Sequence, residues 1–118
     1  MGFQLEWDNN DANIKFYGIL VLQDLMDANG LIYGDGRFDE MCVQIADFTD
    51  VERVDLSSKD AKIITTLEEG ASRWNRVVKV IHVTTNLKLK TLLTLYKEGM
   101  KGTNWIIEVV DTLEEAKK

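Results

Sequence analysis

The sequence predicts an α/β (α+β) fold, a mixed five-stranded sheet with the element order ββαβαβαβα. Apolar residues alternate on both sides of an early cluster of turn-forming residues, which is typical of a β-hairpin. Beyond Gly18, apolar residues at helical spacing alternate with short β-branched runs, the pattern of parallel strands joined by helical crossovers. The 118 residues contain no proline, linker or repeat. We therefore expect a single domain over residues 1–118.

The first half of the hairpin is a half-buried strand over residues 2–7, where apolar and polar side chains alternate. Residues 8–13 are dense in turn formers, and residues 14–17 form the second strand. Helical spacing then predicts a helix over residues 21–33, which the segment 34–37, with two glycines, ends.

The middle of the chain predicts a short strand over residues 42–47 and an acidic loop over residues 48–56. Ser57 then has the position of a helix N-cap, with Asp60 completing a capping box. The second helix is expected to run to about Trp74. Its apolar face comprises Ala61, Ile64, Leu67, Ala71 and Trp74.

The last third of the chain contains two strands and two helices. Residues 77–83 are almost continuously β-branched, as in a strand buried on both faces of a sheet. Asn86 can cap a third helix, and residues 105–110 form the last strand. We expect Asp111 and Glu114 to cap a short final helix. The apolar face of the third helix comprises Leu89, Leu92, Leu93, Tyr96 and Met100.

Composition excludes several functional classes. Fourteen basic and twenty acidic residues give a net charge of −6, which argues against binding to nucleic acid. Cys42 is the only cysteine, so no internal disulfide forms, and one cysteine with one histidine cannot build a thiolate metal cluster. We find no signal peptide and no apolar run long enough to span a membrane. A cytoplasmic location without metal or cofactor is expected.

Few residues offer catalytic chemistry. His82, the only histidine, lies within a predicted strand and is interpreted as a structural or edge-facing imidazole. The Gly-x-Gly at Gly34 and Gly36 follows a helix rather than a strand, which is the wrong place for dinucleotide binding. Because no nucleophile and base can be paired, we predict a protein without catalytic residues.

Ser57 and Ser58 open the second helix directly after an acidic segment. Backbone N–H groups at a helix N-terminus favour a phosphate on either serine. Such a phosphate would add about −2 charge and change what the surface can dock. Alternatively Ser57 only caps the helix, a contribution of about 1 kcal/mol. The acidic neighbours are Asp47, Asp50, Asp55 and Asp60.

Residues 47–55, Asp-Phe-Thr-Asp-Val-Glu-Arg-Val-Asp, followed by Ser57 and Ser58, resemble the STAS-domain signature Asp-Leu-Ser-x-Val-x-x-Ile-Asp-Ser-Ser-Gly. The whole chain is similar in element order to the SpoIIAA-like (STAS/SEC14-like) branch of that family. The chain departs from the signature where Leu56 separates Asp55 from the serines and where Lys59 replaces the glycine. The resemblance implies a mixed sheet covered by helices mainly on one face.

The resemblance also implies a non-enzymatic regulator similar to anti-sigma-factor antagonists, which bind a partner kinase and are switched by serine phosphorylation. Carried onto this chain, the phosphoacceptor is Ser58 or, second, Ser57. The partner is then a kinase or an anti-sigma factor. The expected partner-binding surface comprises Asp47, Thr49, Asp50, Asp55 and Lys59.

SEC14-like proteins suggest a second function, the binding of a lipid or another small apolar ligand. This alternative needs an interior cavity of about 300 Å³ or more. Self-association through an exposed sheet edge or helix face also stays open. The residues on which the ligand hypothesis draws are Trp7, Met26, Trp74, Met100 and Trp105.

Overall fold

The computed structural model describes residues 2–117 and confirms the element order. No helix in this range is long and apolar enough to cross a bilayer. A 3-10 turn at Gly36–Glu40 follows the first helix. The elements are β1 (Phe3–Asp8), β2 (Asp11–Val21), α1 (Leu22–Tyr33), β3 (Val43–Asp55), α2 (Ser58–Ala71), β4 (Lys79–Val83), α3 (Leu87–Gly99), β5 (Ile106–Val110) and α4 (Leu113–Ala116).

The five strands form one sheet in the order β1-β2-β3-β4-β5. β1 pairs with β2 in antiparallel fashion, and all other neighbours are parallel, so the sheet is mixed as expected. α1, α2 and α3 pack on one face and bury the main core. The short α4 covers the second face beside β4 and β5, where Ala116 contacts a small cluster around Ile81 and Val83. The helices therefore lie mainly on one face.

β3 corrects the largest error of the sequence analysis. Residues 48–55, expected as an acidic loop, continue the strand and pair with β2, which itself runs over residues 11–21 rather than 14–17. The pairing shifts register twice, between Lys15 and Tyr17 and between Gly18 and Ile19, and each shift inserts one extra residue in β3. These bulges place apolar residues at every third position rather than every second. The alternation that marks a strand is therefore lost.

The second helix is shorter than predicted, because it ends at Ala71. Trp74 is 82% exposed and lies outside the apolar face to which the helical spacing assigned it. Asn75 fixes the following turn: its Nδ2 donates to the carbonyl oxygens of Phe38 and Met41 at 2.8 and 2.7 Å. β4 consequently begins at Lys79 rather than at residue 77. After the half-buried Lys79, its residues alternate between two covered faces and are buried, as predicted.

The helix caps agree with the sequence in two of three cases. Ser57 and Asp60 form the expected capping box, and the Asn86 side chain accepts from Leu89 N at 2.9 Å. The final helix is capped by Thr112 with Glu115, not by Asp111 and Glu114. Thr112 has the extended backbone of an N-cap, so its hydroxyl accepts from the third helical N–H.

α2 and α3 approach closely where Gly99 faces Thr65. A Cβ at position 99 would overlap the Thr65 methyl group, so with threonine at position 65 a glycine here permits the observed separation of the two helices. The predicted apolar face of α3 packs beneath this contact, with Leu89, Leu93 and Tyr96 buried.

Candidate functional site

The two candidate phosphoacceptors lie exposed at the N-terminus of α2, but they differ in their contacts. Ser57 Oγ accepts from Asp60 N at 3.2 Å, and Asp60 Oδ2 accepts from Ser57 N at 2.9 Å. Ser58 is the first helical residue, and within residues 2–117 its hydroxyl forms no hydrogen bond. The capping function and an available hydroxyl therefore reside on adjacent serines.

The structure brings only part of the predicted partner-binding surface together. Asp55 and Lys59 are exposed and flank the two serines in sequence. We call Asp55, Ser57, Ser58 and Lys59 the serine end. Lys88 Nζ of α3 approaches it and donates to the carbonyl oxygen of Val54 at 2.8 Å.

Asp47, Thr49 and Asp50 lie farther along β3. Between Asp47 and Asp55 the paired β2 advances six residues, from Lys15 to Val21, or about 20 Å. Asp47 is buried and accepts from the backbone N and the hydroxyl of Thr49 at 3.0 and 2.8 Å. Asp50 forms an exposed ion pair with Lys15 at 2.9 Å. These three residues and the serine end are separate regions of the molecule.

A cavity of about 60 Å³ lies between the sheet and helices α1 to α3. This volume is far below the 300 Å³ expected for a lipid or apolar ligand site. None of the five residues named for that hypothesis lines this cavity; Trp74 lines instead an open surface groove of about 820 Å³ beside Tyr33 and Phe38. Met100 and Trp105 are packed in the core, whereas Met26 and Trp74 are exposed. The interior therefore gives the apolar-ligand hypothesis no support.

Glu68 of α2 is buried beside the cavity and was not among the residues that the sequence singled out. The Tyr33 hydroxyl donates to Glu68 Oε1 at 3.2 Å. Burial raises the pKa of Glu68 to about 7, although the hydroxyls of Tyr96 and Tyr33 partly oppose the shift. Glu68 lies four positions after Ile64 and three before Ala71, so its place on the apolar face was a usable signal.

His82 of β4 also lines the cavity and is buried rather than edge-facing. Burial lowers the pKa of His82 to about 4, so the imidazole is neutral at pH 7. Its ring stacks on Phe48 at 6.0 Å between ring centres and meets the Tyr96 ring edge-on at 5.5 Å. The imidazole thus belongs to the packed interior, as its structural interpretation expects.

Comparison with solved structures confirms the fold that the sequence resemblance implies. The anti-sigma factor antagonist SpoIIAA in its unphosphorylated form superposes with a TM-score of 0.62 at 13% identity, over 98% of this chain and 93% of that chain. An uncharacterized DUF3478-family protein with a SpoIIAA-like fold, from Shewanella loihica PV-4, gives 0.54 at 16% identity, over 98% and 88%.

A third similar structure is the complex of the diguanylate cyclase SiaD with its activator SiaC from Pseudomonas aeruginosa. One of its chains gives a TM-score of 0.51 at 16% identity, over 92% of this chain and 90% of that chain. No family model and no curated protein matches the sequence. The chain therefore has a SpoIIAA-like fold, and its function is argued from its own residues.

Proposed function

We propose that the chain is a non-enzymatic regulatory module that docks a protein partner through the serine end and is switched by phosphorylation of Ser58. The observation that carries the proposal is the exposed, unbonded Ser58 hydroxyl on the first residue of α2. A kinase can reach this hydroxyl without unfolding the helix. Ser57 is the weaker acceptor, because its side chain already caps the helix.

Electrostatics explain how a phosphate would act there. The backbone N–H groups and the positive dipole end of α2 favour the added charge of about −2. Asp55 and Asp60 nearby oppose it, with Lys59 as the adjacent cation. Because these effects largely offset each other in the folded chain, the modification changes the charge presented to a partner more than it changes stability.

The similar structures support a protein partner. SpoIIAA is an anti-sigma factor antagonist whose unphosphorylated form has been distinguished, and SiaC is an activator of a diguanylate cyclase. Both names describe proteins of this fold that act on another protein. For this chain we propose a kinase or an anti-sigma factor as the partner.

The test is a pull-down from the native host with wild type, Ser58→Ala and Ser58→Asp. We expect Ser58→Asp to bind a different set of partners from wild type. Ser58→Ala should keep the wild-type set. Thr66→Asp is the matched control, because it adds the same charge to an exposed position on the same helix. Mass spectrometry of the native protein should find a phosphate on the peptide containing Ser58.

Identical partner sets for Ser58→Asp, Ser58→Ala and wild type would refute the switch. A change caused equally by Thr66→Asp would show that added charge anywhere on α2 suffices, which would refute the assignment to the serine end.

A further inference from the structure

Three buried polar atoms line the same cavity: within residues 2–117, Gln44 Oε1 and His82 Nδ1 have no hydrogen-bond partner, and the Tyr96 hydroxyl lies beside Glu68 without reaching hydrogen-bond geometry. Their residues are 3%, 7% and 3% exposed. An unpaired buried polar atom costs about 1–3 kcal/mol. Three of them around one space of about 60 Å³ indicate that something polar fills it.

The charges around the cavity have one sign. Asp60 and Glu68 are the acidic residues that line it, and no lysine or arginine of residues 2–117 does. His82 is neutral at pH 7, because burial lowers the pKa of its imidazole. An anion would therefore meet two carboxyl groups and no cation, whereas a cation would find a counter-ion in the Glu68 carboxylate, which is about half ionised at pH 7 because burial raises its pKa to about 7.

The unpaired atoms favour the same kind of ligand. Gln44 Oε1 is only an acceptor, Tyr96 Oη can accept, and His82 Nδ1 accepts when its proton is on Nε2. A primary ammonium group has three N–H donors and no acceptor. Phe16 and Phe48, stacked at 4.9 Å, contribute an apolar wall suited to a methyl group.

Size and access limit the ligand further. A water molecule needs roughly 10–15 Å³ of such space, so the cavity holds a few waters or one molecule of two or three heavy atoms. Leu25, Asp60 and Leu92 are cavity-lining residues that are only partly buried, and they mark its rim between α1, α2 and α3. A small ligand can enter from this side.

We propose that the cavity binds a small primary ammonium cation of the size of methylammonium. Glu68 is its counter-ion, and Gln44, His82 and Tyr96 accept its N–H donors. The proposal stands independently of the serine end, since none of its binding groups belongs to that surface.

The experiment titrates methylammonium chloride into the full chain, with sodium chloride at equal ionic strength as reference. We expect saturable NMR shifts of the Tyr96 and His82 ring signals and a higher unfolding temperature in methylammonium only. Glu68→Gln should weaken binding by about tenfold or more, because it removes the counter-ion. Glu69→Gln, an exposed neighbour on α2, should bind like wild type.

Tyr96→Phe, checked for folding by circular dichroism, is a second variant that should weaken binding. Methanol, which is neutral and of similar size, should bind far more weakly than methylammonium. The proposal is overturned if no saturable shift occurs, if Glu68→Gln binds like wild type, or if methanol binds equally well. The first result would assign the space to ordered water, the second would remove Glu68 as the counter-ion, and the third would show that the positive charge is not recognised.

Discussion

β3 consists of two consecutive segments that differ in the number of neighbouring strands and in burial. The inner segment, residues 43–48, lies between β2 and β4 and presents Gln44, Ala46 and Phe48 to the cavity. The outer segment, residues 49–55, extends beyond the end of β4 and pairs with β2 alone. Most of its side chains are exposed, and it leads directly into the serine end.

This difference shows how one strand can serve two purposes. A strand with neighbours on both sides and helices above it is fixed by packing, and its buried polar side chains are removed from water. A strand with one neighbour keeps its charges in water and contributes little to the core. We therefore expect stability to depend on the inner segment and partner docking on the outer one.

The largest effect should come from Phe48→Ala at the end of the inner segment. Phe48 is 5% exposed and stacks on Phe16, so its removal should cost about 3–5 kcal/mol. Glu52→Ala in the outer segment is exposed and should change stability by no more than about 0.5 kcal/mol. Urea unfolding of both variants measures the difference. Equal losses would remove the distinction between the segments.

The pH dependence of stability sharpens the description of the cavity beside the inner segment. The pKa of Glu68 rises from 4.5 to about 7 on folding, so the folded chain keeps a proton that the unfolded chain releases. The contribution of Glu68 to stability therefore falls as the pH rises from 4.5 to 7. The pKa of His82 falls from 6.5 to about 4, so its contribution to stability increases as the pH rises from 4 to 6.5. Each contribution is at most about 3 kcal/mol.

In wild type the two trends oppose each other, and single variants separate them. In Glu68→Gln only the His82 contribution remains, so the free energy of unfolding should rise from pH 4 to 6.5. In His82→Gln only the Glu68 contribution remains, so it should fall from pH 4.5 to 7. Urea unfolding at a series of pH values provides the measurement. If both variants retained the wild-type profile, neither group would be buried as described.

A smaller effect is expected where α3 holds the outer segment. Lys88→Met removes the donor to the Val54 carbonyl and should cost about 1 kcal/mol. Lys90 is on the same helix as Lys88 and forms an exposed ion pair with Asp111, which follows β5; Lys90→Met should cost no more than about 0.5 kcal/mol. Denaturant midpoints compare the two. A larger loss for Lys90→Met would contradict the role given to Lys88.

The smallest effect should come from Asp50→Asn in the outer segment. Asp50 and Lys15 form an ion pair whose side chains are 54% and 49% exposed, so water screens their attraction. We expect no measurable shift of the urea midpoint at low or high salt. A clear loss at low salt that disappears at high salt would show that this pair helps to hold the outer segment.

Local patterns in the sequence predicted the element order, the capping box at Ser57 and the buried face of α3. They failed for the outer segment because two bulges replace the two-residue alternation by apolar residues at positions 48, 51 and 54. Local patterns also failed for Trp74, which lies in the turn after α2. Asn75 fixes this turn through contacts with residues more than thirty positions away. No local pattern contains such contacts.

The serine end and the cavity also differ in how far the sequence predicted them. The exposed serines follow from a capping motif that is readable in sequence. The cavity depends on Gln44, Glu68, His82 and Tyr96, which four different elements bring together. Only the place of Glu68 on an apolar helical face suggested that it is buried.

The contact between Gly99 and Thr65 sets a dimension of the whole molecule. Because only the Thr65 side chain separates the two helix backbones there, α2 and α3 lie close together above the sheet, and the cavity beneath them has room for only a few atoms. The methyl group added by Gly99→Ala would push the two helices apart. Thr65→Ser in the same chain would remove the methyl group with which it clashes. The two substitutions, alone and together, would therefore vary the separation of α2 and α3 and the volume of the cavity without altering any residue that lines it.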